Sequence, residues 1–335
     1  MKKRLTLLLI LFFSTQYLFL CVFSSYGDTP FFVQTVYFQP IDAPPLTAVR
    51  DTISKLTREA QQLYREQMAE HGFGHKTFRT ENDEQGNVII HTVSGKEKVS
   101  HYVQNTWEKV LADLPDTLNP SKPPWDKQDT IRLVIVGGVK FVDGNKWGVG
   151  FPRHSNRYGG SCYIAGGSHA FNANLIFHEL GHCFGLYHKP EGKPFEIAHY
   201  EARWLSKHYH FNKRVNAFTF PQLVNNKPVL TDIGNNFVRF EIDATSDIGL
   251  HQAKIFRDND IVTIAYDYLN GKKNDTVSLE APKRYWEQNM KLTVMDNNGN
   301  YFIKDMQINL SAIGTLDITP RYKLALRWCD IKTEI

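Results

Sequence analysis

After its N-terminal segment the chain has no apolar run long enough to span a bilayer, no internal repeat and no low-complexity tract. Those absences exclude a multi-span helical membrane protein, a solenoid and a disordered linker protein. Cysteine is scarce: Cys21, Cys162, Cys183 and Cys329 are all there are, too few for a fold framed by disulfides. Methionine is missing from the whole middle of the chain, with none between Met68 and Met290. Net charge is small too. The formal +4 includes Lys2, Lys3 and Arg4; without those three the 39 basic residues fall to 36, against 35 acidic ones. Such a balance carries no electrostatic footprint for nucleic acid or for an anionic membrane surface.

Residues 1–27 read as a secretory leader. Lys2-Lys3-Arg4 forms the positive start, Leu5 to Phe13 the apolar centre, and Ser25-Tyr26-Gly27 the small residues before a cut ahead of Asp28. The alternative is an uncleaved anchor over Leu5–Phe23, interrupted by Ser14, Thr15 and Gln16. The expected destination is secreted, periplasmic or extracellular, with membrane contact only if the leader stays attached. Loss of Cys21 with the leader leaves an odd three cysteines. A bridge between Cys162 and Cys183 and a pair of buried thiols are both compatible with the pattern.

The densest chemistry lies in residues 175–188, Leu-Ile-Phe-His-Glu-Leu-Gly-His-Cys-Phe-Gly-Leu-Tyr-His. On a helix, positions i and i+4 share a face, so His178 and His182 can point at one ion. Six residues further, a continued helix would carry His188 roughly 240° around the axis. His188 can join the same ion only if the helix ends and the chain turns back. Gly185 sits where that must happen, and glycine accepts the left-handed conformation that closes many helices. Three imidazoles on one Zn²⁺ leave a fourth position open, the layout of a catalytic site. Glu179, next to the first ligand, is placed as general base for a water.

The spacing H-E-x-x-H-x-x-G-x-x-H resembles the signature of the metzincin metallopeptidases. That resemblance implies an α+β catalytic domain: a mixed, twisted sheet backed by helices, with one catalytic zinc on the active-site helix. It also implies that the strand before that helix is the sheet edge along which an extended substrate lies. By that reasoning Cys162, Tyr163, Ile164 and Ala165 would offer backbone groups to a peptide; the alternative is a solvated glycine-rich loop. Metzincins follow their third histidine with a turn carrying a methionine beneath the metal. Here the sequence departs, reading Phe195-Glu196-Ile197-Ala198-His199-Tyr200, with Ala198 nearest the expected position. Tyr200 could place a phenol near the oxyanion, as in some relatives, or simply begin a helix.

Along the rest of the chain, Phe31–Phe38 reads as a strand, Leu46–Glu70 as a long helix and Lys98–Leu114 as a second helix. Lys76–Glu81 and Asn87–Val93 read as a hairpin, and Thr130–Val136 as a buried central strand. From about residue 225 seven short alternating runs, separated by turn clusters, read as an all-β, immunoglobulin-like sandwich. The expected organisation is therefore a leader (1–27), a zinc peptidase domain (28–224) and an accessory β-sandwich (225–335). The functional expectation is a secreted zinc endopeptidase acting on protein or peptide, with no nucleic-acid partner; the partner of the sandwich is not written in the sequence. Two rivals remain at this stage, a zinc hydrolase of a non-peptide amide and a non-catalytic adhesin with a structural metal.

Overall fold

The computed structural model describes residues 32–118, 130–152, 160–188, 195–212, 220–225, 227–257, 262–286 and 289–307. The leader, Cys21, Cys329 and the strand expected over residues 322–328 lie outside the described residues. A strand that is apolar on both faces has to be central. Val33–Gln39 (β1) and Ile131–Val136 (β3) meet that condition, β3 being buried at every position. With Ile90–Ser94 (β2), Gly148–Pro152 (β4) and Gly160–Ala165 (β5) they make a five-stranded sheet of order β2-β1-β3-β5-β4. All pairs are parallel except β4 with β5.

This order corrects one expectation. β5 is interior: Cys162 stands opposite Leu133 of β3 on one side and Gly150 of β4 on the other. Cys162, Tyr163, Ile164 and Ala165 are all buried, so their backbone groups serve the sheet and not a substrate. The edge is β4, whose glycines hid it inside what reads as a loop.

Leu46–Glu70 (α1) forms as expected and lays Ile53, Ala60, Tyr64 and Met68 on the sheet. The helix expected over Lys98–Leu114 breaks in two, a 3-10 turn at Val99–Val103 and a helix at Thr106–Asp113 (α2). Asn105 stands between them at φ 51°, a left-handed conformation that asparagine tolerates. The Asp143 carboxylate holds the break open by accepting the Thr106 N–H at 2.9 Å. The expected hairpin shrinks to a bridge between Asn82 and Val88, and β2 pairs instead with β1. Ala173–Cys183 (α3) starts at Asn172, whose side chain accepts the Leu175 N–H at 3.0 Å. His199–Lys207 (α4) follows it. Cys162 and Cys183 are free, buried neighbours, which decides for thiols over a bridge.

The second part is two antiparallel sheets. Val262–Tyr268 (β10), Leu250–Arg257 (β9), Asn289–Asp296 (β12) and Tyr301–Gln307 (β13) form the first in that order. Asn274–Pro282 (β11), Phe237–Thr245 (β8) and Gln222–Leu223 (β6) form the second, with Val229–Gly234 (β7) also on β8. Ala253 and Ile255 of β9 face the core between the sheets, with Trp286 and Leu292. The alternate residues Gln252, Lys254 and Phe256 are buried as well, because the outer face of this sheet packs on the first domain. Phe256 stacks on Tyr187 at 3.8 Å, and Tyr301 meets Trp204 at 5.3 Å. Asp296 to Asn300 is a hairpin turn, with the Asp296 carboxylate accepting the Asn298 and Asn300 N–H groups. No described helix is long and apolar enough to cross a membrane.

Candidate active site

α3 ends as its sequence requires. Gly185 has φ +76°, the Gly185 N–H donates to His182 O at 2.9 Å, and the Leu186 N–H donates to Gly181 O at 2.8 Å. This paired closure, with glycine in the left-handed position, is a Schellman motif. It reverses the chain so that His188 returns toward His178 and His182. One nitrogen from each of the three rings lies within 4.8 Å of the others. The Nε2 atoms of His178 and His188 are 3.2 Å apart. Two nitrogens at Zn–N distances of about 2.0–2.1 Å in a tetrahedral site stand about 3.3 Å apart, so the donors fit that ion. His182 Nδ1–H donates to Leu186 O at 2.9 Å, which leaves the Nε2 lone pair for a metal. Burial, with the neighbouring His178 and His188, pushes the His182 pKa down to about 3, so the ring is the neutral species that ligation needs. His188 is exposed and His178 partly so, leaving the site open to solvent on one side.

The turn after α3 is held from three directions. Trp204 Nε1–H of α4 donates to Phe184 O at 3.0 Å. Lys254 of β9 donates its ammonium to Gly185 O. His182 itself takes the third consecutive carbonyl, Leu186 O. Lys254 is fully enclosed, with Nζ 3.8 Å from the Trp204 ring centre and 4.9 Å from that of Tyr187. The sandwich also grips the third histidine directly: the Thr263 N–H of β10 donates to His188 O at 2.9 Å, in a parallel bridge between His188 and Val262. Two strands of the second domain therefore fix the segment from Gly185 to His188.

Glu179 is 6% exposed and lies beneath β4. A Cβ at Gly148 would come within 2.8 Å of Glu179 Oε1, and one at Gly150 within 2.2 Å of the Glu179 carbonyl oxygen. The edge strand passes this close only because alternate positions carry no side chain. Burial raises the Glu179 carboxyl to about 8, with Lys146 opposing; a cation bound by the three histidines lowers it again. Gly150→Ala is expected to cost about 1–3 kcal/mol of stability through overpacking and to displace Glu179. Thermal melting beside a hydrolysis assay checks this; an unchanged melt with full activity would contradict the close approach.

Tyr200 stacks on Tyr266 at 4.3 Å, with its hydroxyl 3.5 Å from Glu201 Oε1. Burial holds its phenol well above the usual range, so it remains a donor at any working pH. The segment before it is tied to α1: Gln67 Nε2 donates to Phe195 O at 2.9 Å, and the His71 ring donates to Ile197 O at 2.6 Å. Ile197, and not Ala198, enters the core here; Ala198 starts α4 and gives its N–H to the Glu201 carboxylate at 2.8 Å. Lys254 and Thr263 escaped sequence reasoning because each is far along the chain from the histidines and sits in an ordinary pattern; Trp204 reads as an inward residue of its helix, and nothing in the sequence shows that its Nε1–H meets Phe184 O. Gly148 and Gly150 did carry a signal, glycine at strand spacing.

A family model described as Peptidase M66 matches residues 150–246, a span that begins in β4, contains all three histidines and Glu179, and runs through β8. No curated protein matches the sequence. Among solved structures, wild-type OgpA from Akkermansia muciniphila matches in two crystal forms at TM-score 0.56 and 17% identity, over 85% or 86% of this chain and 95% of that one. Catalytically inactive OgpA from the same organism, in complex with the O-glycopeptide glycodrosocin, matches at TM-score 0.57 and 17% identity, over 85% of this chain and 95% of that one. The family match supports a hydrolase of the metallopeptidase kind. The structural likeness shows a fold shared over nearly the whole of OgpA, both domains included.

Proposed function

We propose that the chain is a secreted zinc-dependent endopeptidase. The observation that carries this reading is the convergence of His178, His182 and His188 beside a buried Glu179, under the edge strand β4 with its Gly148 and Gly150. When bound, zinc supplies Lewis acidity, lowering the pKa of water to about 7 and polarising a carbonyl. Glu179 is one residue from the first ligand, near enough to reach the attacking water. Its carboxylate accepts the water's proton and passes it to the departing amine. β4 takes over the role first expected of Cys162–Ala165: its free edge can pair with an extended peptide and hold the scissile bond over the histidines. The O-glycopeptide bound by inactive OgpA supports a glycosylated peptide as the substrate class.

Tyr200 is the proposed oxyanion donor. Tyr200→Phe is expected to lower kcat by about 10²-fold with KM little changed, because the hydroxyl acts on developing charge. A fall in KM affinity alone, with kcat preserved, would remove Tyr200 from the reaction. The reading as a whole is tested by digesting matched peptide libraries, with and without O-linked sugars, and locating new termini by mass spectrometry. Cleavage within peptide chains supports it; release of a non-peptide acyl group without peptide cleavage would favour an amide hydrolase of another kind.

A further inference from the structure

A band of aromatic rings leads from the candidate active site across the boundary between the two domains. It starts at Tyr200, whose ring stacks on that of Tyr266 at 4.3 Å. Tyr266 meets Tyr268 at 5.4 Å, Tyr268 meets His199 at 6.4 Å, and His199 meets Phe73 at 5.4 Å. The turn after α1, the start of α4 and strand β10 each supply members. Tyr266 and Tyr268 are two apart on β10, opposite Lys254 and Gln252 of β9, and so share the face turned toward the first domain. Thr263 of the same strand holds His188 O, which places the head of the band beside the third histidine.

The band is open to solvent. Tyr266 is 46% exposed, His199 is exposed, and Tyr268 and Phe73 are half-buried. Single exposed aromatics are ordinary, but a contiguous row of them marks a surface that another molecule covers. The rings are also held from behind. The Arg203 guanidinium lies 4.5 Å over the Tyr268 ring, and Gln252 Nε2 donates to Tyr200 O at 3.0 Å. A surface fixed before binding loses little side-chain freedom when it is covered.

The neighbouring charges are turned elsewhere. Arg203 faces the Tyr268 ring, the Glu201 carboxylate accepts the Ala198 N–H, and Asp267, between the two tyrosines, accepts the Ser278 N–H at 2.8 Å. What the band offers is a row of flat apolar faces. An oligosaccharide would call for carboxylates and amides to take its hydroxyls, and a charged peptide for an opposite charge. Flat faces suit an extended chain with apolar side chains. Proline suits them best, because its fixed φ pre-forms the polyproline II helix that aromatic-lined grooves recognise.

We infer that this band is an extended subsite for the substrate polypeptide, and that it takes a proline-rich stretch a few residues away from the scissile bond. The inference rests on the peptidase reading for the occupant's identity, but the binding it describes does not require cleavage.

The test is fluorescence anisotropy on the full zinc-loaded chain carrying Glu179→Gln, so that bound peptide is not consumed. The probes are a short labelled core peptide of alanine and serine, and the same core extended at its N- or C-terminal side. The extensions are proline-rich, glutamate-rich, or glycine-serine with or without an O-linked sugar. The proline-rich extension, on one of the two sides, should tighten binding by about tenfold over the core, the worth of one or two ring contacts. Tyr266→Ser and Tyr268→Ser should each remove most of that gain while binding the core as before; Tyr268 stands one ring further from Tyr200, and a general folding defect would weaken the core as well. With Glu179 intact, the same extension should lower KM and leave kcat unchanged. Tyrosine-dependent binding without any cleavage would keep the subsite and remove the peptidase reading. No gain from proline, an equal gain from glutamate, a tyrosine-dependent gain from the sugar instead, or a proline gain that survives both substitutions would each overturn the inference.

Discussion

Glu179→Gln should bind zinc, melt no lower than the wild type and lose most of its hydrolysis, by about 10²–10⁴-fold in kcat/KM. The substitution keeps the shape of the side chain beneath Gly148, so the close packing of β4 on α3 survives. It removes the carboxylate to which we assign the transfer of the water's proton. Gln also spares the fold a carboxyl that burial makes costly to ionise, so the loss of rate cannot be laid to unfolding. The measurement pairs kcat/KM on a cleaved peptide with metal content and a melting curve from one preparation. A variant that hydrolyses at the wild-type rate would take Glu179 out of the mechanism.

Lys254→Met should separate stability from activity in the opposite place, the second domain. Lys254 is buried and its pKa is lowered from 10.5 to about 7 by burial, with Glu201 opposing. A lysine whose folded pKa lies below its unfolded value opposes folding in full below about pH 7, and the penalty fades as pH rises toward 10.5. Methionine of similar length removes that penalty and leaves Gly185 O without its ammonium donor, a loss of about 1–3 kcal/mol. Relief of the penalty at least offsets the lost bond, so the variant should melt no lower than the wild type near neutral pH. The variant should also lack the wild type's gain in stability between about pH 7 and 10.5. What should fall is zinc affinity, by about 10- to 100-fold, as when a group orienting a ligand is removed. The Gly185 turn that returns His188 to the metal would have lost a donor from the sandwich. Zinc competition with a chromophoric chelator reads this directly. Unchanged zinc affinity would reduce Lys254 to packing.

These two residues also mark what was legible in the sequence. The histidines, Glu179 and Gly185 were readable because helix geometry is local: spacing alone fixes which side chains share a face and where the chain must turn. The same locality gave the limits of α1 and the burial of β3. The break at Asn105 was invisible because Asp143, which supports it, is remote in sequence. β4 was missed because a strand stripped of side chains to pass over Glu179 looks like a loop. The edge position expected of β5 comes from the metzincin resemblance alone, and the strand's own pattern does not show that β4 returns to cover it. Lys254 lay on the polar face of an alternating strand, which normally means solvent. Here that face meets α4 and the turn after α3, and only the tertiary structure supplies the second surface. The sandwich, expected as an accessory, thereby holds the third histidine through Thr263 and the preceding turn through Lys254.

The central claim, a zinc-dependent cleavage of peptide bonds, is tested most directly by following metal content and new peptide termini together in the full chain. The account predicts one zinc per chain, internal cleavage that stops when a chelator removes the zinc, and recovery when zinc is returned. Cleavage that continues at full rate after the metal is gone, or a fully zinc-loaded chain that cleaves no peptide with or without sugar, would contradict it.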